Sequence, residues 1–253
     1  MEAISAIKDI YQNLDSIEGF KVFISEYSSD DRAGVKKLVE SAAKKIDAIE
    51  AEIKRTYEMK KYERENESLG LLCGIDEVGR GPLAGPVYAA AVILPADSDI
   101  LYINDSKKLS EKKREELYIE IMNKAVAVGI GHVSNERIDE INILQATYEA
   151  MTMAVNELSV KPGALLIDAV HIPQLEKYKQ ISIIKGDAKS ISIAAASIIA
   201  KVTRDRVMKD YAKEYPEYGF DSNKGYGSAD HIAAIKKYGP CPIHRRSFIG
   251  NFI

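Results

Sequence analysis

Leu71-Leu72-Cys73-Gly74-Ile75-Asp76-Glu77-Val78-Gly79-Arg80-Gly81-Pro82-Leu83-Ala84-Gly85-Pro86 is the stretch from which the rest of the chain is read. It begins as an apolar run suited to a buried strand and then carries two adjacent carboxylates. The Gly/Pro-dense segment that follows would be tolerated inside neither a helix nor a strand. Val87 to Pro95 resumes as a second apolar run, so the whole reads as strand, tight connection, strand. Acids at the mouth of a buried strand need a reason, because desolvating a carboxylate without a partner is costly. A solvated turn is the plain alternative, but it accounts poorly for three glycines and two prolines packed around Arg80. Metal on the acids, with phosphate or ribose against a close-approaching backbone, fits better.

Two later acids stand as Asp76 and Glu77 do. Leu165-Leu166-Ile167-Asp168 is an apolar strand ending in a carboxylate, and Ile181 to Lys185 leads through Gly186 to Asp187. Ligands in sheet proteins collect at the carboxyl ends of strands. Taken alone, Asp187 reads as a helix cap and Asp168 as a turn residue. Taken together, those readings require one coincidence on three strands. Two like charges ~4 Å apart repel by about 4 kcal/mol at an effective dielectric near 20. Mg²⁺ or Mn²⁺ would relieve that repulsion, and without metal some of the acids should have raised pKa values. Oxygen-ligated metal pairs suit phosphodiester hydrolysis. One tension is built in: neighbours in a regular strand face opposite ways. Glu77 must then lie where the strand breaks, or contribute a backbone oxygen, and Asp76 is the firmer side-chain ligand.

Outward from these strands, the order is mixed. Strands are expected at Leu72–Asp76, Val87–Leu94, Val126–Val133, Ala164–Asp168 and Ile181–Lys185. Helices are expected at Ser110–Asn123, Ile143–Leu158, Lys189–Tyr215 and Ala229–Tyr238, giving an α/β architecture with a mixed sheet flanked by helices. Residues 1–69 differ: Val35, Val39, Ala42, Ile46, Ile49, Ile53 and Tyr57 make one apolar stripe on a long helix, preceded by a helical piece near Ala3–Leu14. The expected division is an N-terminal helical extension over 1–69 and a catalytic domain over 70–253. Packing of the stripe on its own chain is favoured over a coiled-coil dimer, because repeated Leu is missing.

Composition is that of a globular protein: 253 residues, 46% hydrophobic, 29% charged, net charge -3. That charge gives no help to nucleic-acid binding, which would need a local basic patch. Two cysteines, Cys73 and Cys241, cannot build a disulfide framework or a CxxC zinc site. With no apolar leader and no run near the ~20 residues of a membrane span, a cytoplasmic protein without membrane contact is expected. The four histidines, His132, His171, His231 and His244, are scattered without ligand spacing.

Gly74 to Pro86 resembles the signature of the bacterial ribonuclease HII family, a type 2 RNase H, and the likeness extends over roughly Leu69 to Ile249. The resemblance implies the RNase H-like fold and four catalytic, metal-binding acids at Asp76, Glu77, Asp168 and Asp187, with two Mg²⁺ or Mn²⁺ ions. It implies cleavage of RNA in RNA–DNA hybrids and 5′ to single ribonucleotides in duplex DNA, leaving 3′-OH and 5′-phosphate ends, as in ribonucleotide removal from DNA. Gly79-Arg80-Gly81 matches the family's junction-reading motif. Tyr226, in Lys224-Gly225-Tyr226-Gly227-Ser228, matches a tyrosine that packs on the deoxyribose after the ribonucleotide; by itself that segment reads as a turn with a core tyrosine.

Phosphate contacts are expected from Ser106, Lys107 and Lys108 at a helix start, from Lys189, and from Ser197, Lys201 and Arg204 on the following helix. Arg245 and Arg246 either touch phosphate or are solvated. A monomer is expected. The rivals are a ribonuclease HIII-like nuclease, which should lack Gly-Arg-Gly and carry a sheet-containing N-terminal domain, and a non-catalytic nucleic-acid or partner-binding module.

Overall fold

A computed structural model describes residues 2–253. The chain divides into two compact units, one ending at Glu58 and one beginning at Met59, so the boundary expected after residue 69 lies inside the second unit. The first unit is helical: α1 (Ile4–Gln12), α2 (Ile17–Tyr27) and most of α3 (Ala33–Met59). Ile7, Phe20, Phe23, Tyr27, Val35 and Ala42 form its core, with Val39, Ile46 and Ile49 packed against it. The stripe of α3 thus packs on its own chain, except at its far end, where Ile53 and Tyr57 are exposed. Helix α2 is missing from the sequence-based expectation, although its signals were present: Ser16 caps it by accepting from Gly19 N–H, and Phe20, Phe23 and Tyr27 share one face.

The second unit opens with α4 (Lys61–Glu65) and then builds β1 (Leu72–Val78), β2 (Val87–Ile93), α5 (Glu111–Lys124), β3 (Ala127–Val133), α6 (Asn135–Asn156), β4 (Ala164–Asp168) and β5 (Lys179–Ile183). It closes with α7 (Ile191–Glu214), α8 (Phe220–Asn223), α9 (Ala229–Tyr238) and α10 (Arg246–Ile249). The sheet order is β3-β2-β1-β4-β5. β1, β2 and β3 pair antiparallel, whereas β4 lies parallel to both β1 and β5. Alternation divides the side chains between two layers. Cys73, Ile75, Ala89 and Ala91 face α6, and Ala90 and Val92 face α5 and α7. Each fully buried Ile or Leu contributes roughly 1.5–3 kcal/mol to these layers.

Helix α7 is apolar almost all round over its first half, as befits a buried helix, and Ser190 caps it by accepting from Ile193 N–H. It crosses β1 so closely that a Cβ on Gly74 would stand 2.0 Å from the Ser192 carbonyl carbon. Most boundaries differ from expectation by a residue or two, and three of the differences have a clear cause or consequence. β1 continues past Asp76 to Val78; β5 ends at Ile183 because the chain swings through a left-handed Lys185 (φ 58°) to start α7. α6 begins at Asn135, not Ile143, and is broken at Asn142 (φ 66°), whose side chain accepts from Leu144 and Gln145 N–H and recaps the helix. Among the described residues no helix is long and apolar enough to cross a membrane.

Candidate active site

The parallel register sets Ile75 beside Ile167, so Asp76, still within β1, and Asp168, the last residue of β4, follow at the same level on adjacent strands. Asp187 arrives from the short 3-10 turn Gly186–Ala188, and Gly186 N–H donates to Asp168 Oδ1 at 2.7 Å, tying the two acid-bearing loops together. Asp187 is therefore not the cap of α7; Ser190 is. The tension at Glu77 is not relieved by an early break. Glu77 is still paired opposite Ala89, and the strand gives way only after Val78. Its backbone N–H donates to Asp76 Oδ1 at 2.8 Å, and its carboxylate meets the Arg80 guanidinium at 3.4 Å.

The acids act on one another. Burial pushes the Asp76 carboxyl well above the usual carboxylate range; Glu77 and Asp168 push the same way, opposed by a hydrogen bond from Ser197. Burial also raises Glu77, with Arg80 opposing, and raises Asp187, with Asp105 and Asp168 adding to it. Asp105, expected in a phosphate-binding loop, is a fifth carboxylate that the sequence reading did not count among the acids. Its own side chain accepts from Lys107 N–H, so locally it looked like an ordinary turn residue. Burial pulls the Lys107 ammonium down, but Asp105, Asp76 and Asp187 together hold it above its usual value. Among the described residues no three acidic, histidine or cysteine side chains are drawn as close as a bound ion's ligands. The donor set nevertheless fits a hard divalent cation, being all oxygen and uncompensated by internal cations apart from Arg80 and Lys107.

Beside the acids, the turn at Gly79–Gly81 presents Arg80 and Gly81 to solvent while Gly79 is buried. Gly79 is required by the fold itself: its φ is +93°, and a Cβ there would lie 2.3 Å from Arg204 Nε. Gly81 is open, and a methyl group on it would stand 3.8 Å from Tyr226 Cε1. The structure thus brings Tyr226 to the turn, 42% exposed rather than packed in the core. The segment after the turn is gripped on both edges: Leu83 N–H donates to Gly225 O, Gly85 N–H to Ile243 O, and Arg245 N–H to Leu83 O.

Several expected phosphate ligands are elsewhere. Arg204 is fully buried and donates to Pro86, Lys224 and Ala84 carbonyls at 2.9, 2.9 and 3.1 Å, so it cannot reach a phosphate. Ser106 and Ser197 are buried and hydrogen-bonded to each other at 2.9 Å, beneath the site rather than on its surface. Lys201 is largely buried and paired with Asp205 at 2.7 Å. Lys107, Lys108, Lys189 and Arg246 are exposed, whereas Arg245 is neither solvated nor surface-bound, being 0% exposed. No local spacing distinguishes a buried arginine from an exposed one, so sequence periodicity carried no warning.

The sequence reading also gave the histidines no role, yet two of them meet. Cys241 N–H donates to His244 Nδ1, His244 Nε2 contacts His231 Nε2 at 3.0 Å, and His231 Nδ1 reaches Tyr226 O at 2.8 Å. A single pattern of neutral tautomers satisfies all three contacts, with each ring donating onward toward Tyr226. Burial lowers both rings, His244 to about 4 with the His231 neighbour adding to it. Thirteen residues apart, they had no helical or strand spacing to signal the contact.

Comparison with known proteins agrees with this architecture. A family model described as Ribonuclease HII matches residues 73–251, and one described as Ribonuclease HII N-terminal domain matches residues 3–67. The ribonuclease HII of Lachnoclostridium phytofermentans is 59% identical over 97% of this chain and 97% of its own. That of Bacillus subtilis is 51% identical over 96% of this chain and 95% of its own. Among solved structures, ribonuclease H2 from Pyrococcus horikoshii is 31% identical with a TM-score of 0.59, covering 70% of this chain and 92% of that one. The PCNA:RNase HII complex from Archaeoglobus fulgidus is 27% identical with a TM-score of 0.61, covering 72% and 96%. With the RNase H-like sheet, its strand-end acids and near full-length relatives in agreement, this chain belongs to the ribonuclease HII family, whose members are divalent-metal-dependent ribonucleases H acting on nucleic acid.

Proposed function

We propose that this enzyme hydrolyses the RNA strand of RNA–DNA hybrids and incises duplex DNA on the 5′ side of single embedded ribonucleotides, leaving 3′-OH and 5′-phosphate ends. The carrying observation is the juxtaposition of mutually repelling carboxylates at strand ends with an exposed Arg80–Gly81 backbone and the Tyr226 ring. Asp76, Glu77, Asp168 and Asp187 would hold two ions, Mg²⁺ or Mn²⁺. Bound there, the ions supply Lewis acidity for a water nucleophile and for the leaving oxygen. Asp76 and Asp168, at one level on adjacent strands, orient the scissile phosphate's surroundings, while Gly186 N–H fixes the Asp168 carboxylate.

Ribose is told from deoxyribose by its 2′-OH alone. The peptides of Gly79, Arg80 and Gly81 approach it, and the Tyr226 ring packs on the following deoxyribose. Exposed Lys107, Lys108 and Lys189 contact phosphates, a local basic fringe on a chain of net charge -3. The same reading makes the protein a cytoplasmic monomer. The helical N-terminal unit and the presence of Gly-Arg-Gly favour this over the ribonuclease HIII-like rival. The test is incubation of a duplex carrying one ribonucleotide with Mg²⁺ or Mn²⁺. A single cut 5′ to the ribonucleotide supports the reading; binding without any cut would support the non-catalytic module instead.

A further inference from the structure

Arg245 is the unusual residue of this molecule. It is wholly buried, it forms no salt bridge among the described residues, its guanidinium donates to carbonyls, and it lies 5.1 Å from the centre of the Phe248 ring. Nε donates to Gly85 O at 2.9 Å, Nη1 to Arg80 O at 2.9 Å and Nη2 to Gly79 O at 2.5 Å. Burial lowers its pKa to about 9, and the neighbouring Arg204 charge works in the same direction. A desolvated cation without an ion-pair partner is an expensive way to fill space, and an apolar side chain of similar length would be cheaper.

We propose that Arg245 is a positioning residue that sets ribose specificity by turning the Gly79–Arg80 and Arg80–Gly81 peptides outward. This rests on the reading of the turn as the reader of the 2′-OH. In a planar trans peptide, C=O and N–H point in opposite directions. Holding the carbonyls of Gly79 and Arg80 inward on one rigid fork therefore aims the N–H groups of Arg80 and Gly81 away from it, and both residues are exposed. Among the described residues neither N–H has an acceptor, so both are free for a ligand. A cation on a carbonyl also polarises the peptide and strengthens its N–H as a donor, by about 10–30% per bond.

Arg204 complements this from the other side. It packs under Gly79 and holds Lys224 O, two residues before Tyr226. Only arginine fits the role of Arg245, since three acceptors in a plane need a planar fork of donors and lysine offers a point charge. Arg245 hydrogen-bonds the carbonyls of Gly79, Arg80 and Gly85 and none of the acids, so its influence is on recognition rather than on the acid cluster.

The test uses Arg245→Lys and Arg245→Met in the full chain, with melting temperature measured for each. KM and kcat are determined on a duplex with one ribonucleotide, and Kd on the same duplex made wholly of DNA. The expected result is a rise in KM of roughly tenfold, the scale of one misdirected hydrogen bond. The kcat at saturation should fall far less, and the all-DNA Kd should stay within about twofold. A merely structural role would instead lower active enzyme on all substrates in proportion to unfolding. Folded variants that keep the wild-type ratio of ribonucleotide to all-DNA affinity would overturn the assignment to Arg245 alone. Equal affinity of the wild type for the two duplexes would overturn the turn's reading and this proposal with it. If neither variant folds, backbone amide NMR of the wild type decides: Arg80 and Gly81 signals must shift with the ribonucleotide duplex and not with the all-DNA one. Indifferent amides would refute the proposal.

Discussion

Two neighbouring regions of the second unit solve opposite electrostatic problems. At the strand ends, carboxylates gather with few internal cations, and their pKa values rise. Under the adjacent turn, Arg204 and Arg245 are buried without a salt bridge among the described residues, and six carbonyl contacts satisfy them. The acids are left to be completed by something from outside, whereas the arginines are complete within the protein. A centre that must accept ions is held under repulsion, and the apparatus that must recognise a fixed sugar is braced in advance.

The sharpest way to break this contrast is Asp76→Asn. Cleavage should fall by about 10³-fold or more, equivalent to roughly 4 kcal/mol. The metal-free protein should melt no lower than wild type, since the substitution removes a buried charge that its neighbours disfavour. Retained full activity would count against the metal role, and a large loss of metal-free stability would show that the acids are not under repulsion.

The braced side makes a pH prediction. His244 titrates near 6.5 when unfolded and at about 4 when folded, so the neutral ring stabilises the fold above the unfolded value. That stability is lost as pH falls from about 6.5 toward 4, by about 3 kcal/mol in total. Denaturant unfolding across this range should show the decline, and His244→Gln should flatten it. An unchanged slope in the variant would mean that the ring is not held neutral.

Tyr226→Ala should cost about tenfold on single-ribonucleotide duplexes, the lower part of the range for loss of one aromatic platform. Long hybrids should suffer less, and melting should hardly change because the ring is 42% exposed. Equal losses on both substrates would move junction reading away from this ring. The smallest effect is expected from Lys108→Ala: weaker binding of all duplexes alike, with the salt slope reduced by about 1. A sequence-selective loss would contradict a phosphate contact.

How much of this was legible follows from how far apart the partners lie. The acid-bearing strands were readable because an apolar run ending in Asp is a local pattern, and Ser190, Ser134 and Asn142 cap helices through residues two or three positions away. Buried Arg204 was misjudged as a phosphate ligand because three of its contacts lie 20 to 120 residues away. Arg245, the His231–His244 pair and the position of Asp105 beside Asp187 were invisible for the same reason.

The sequence by itself determined the succession of local elements along the chain, the acids that follow their apolar runs, the Gly-rich turn and the helical character of the N-terminal unit. Those depend on periodicity, backbone permissiveness and capping, which act over a few residues. Only the tertiary structure decided which cations are buried, which carbonyls hold them, and that Gly79 is a glycine because Arg204 lies under it. Burial and hydrogen-bond partnership are properties of the packed chain, set by contacts between residues that the sequence keeps far apart.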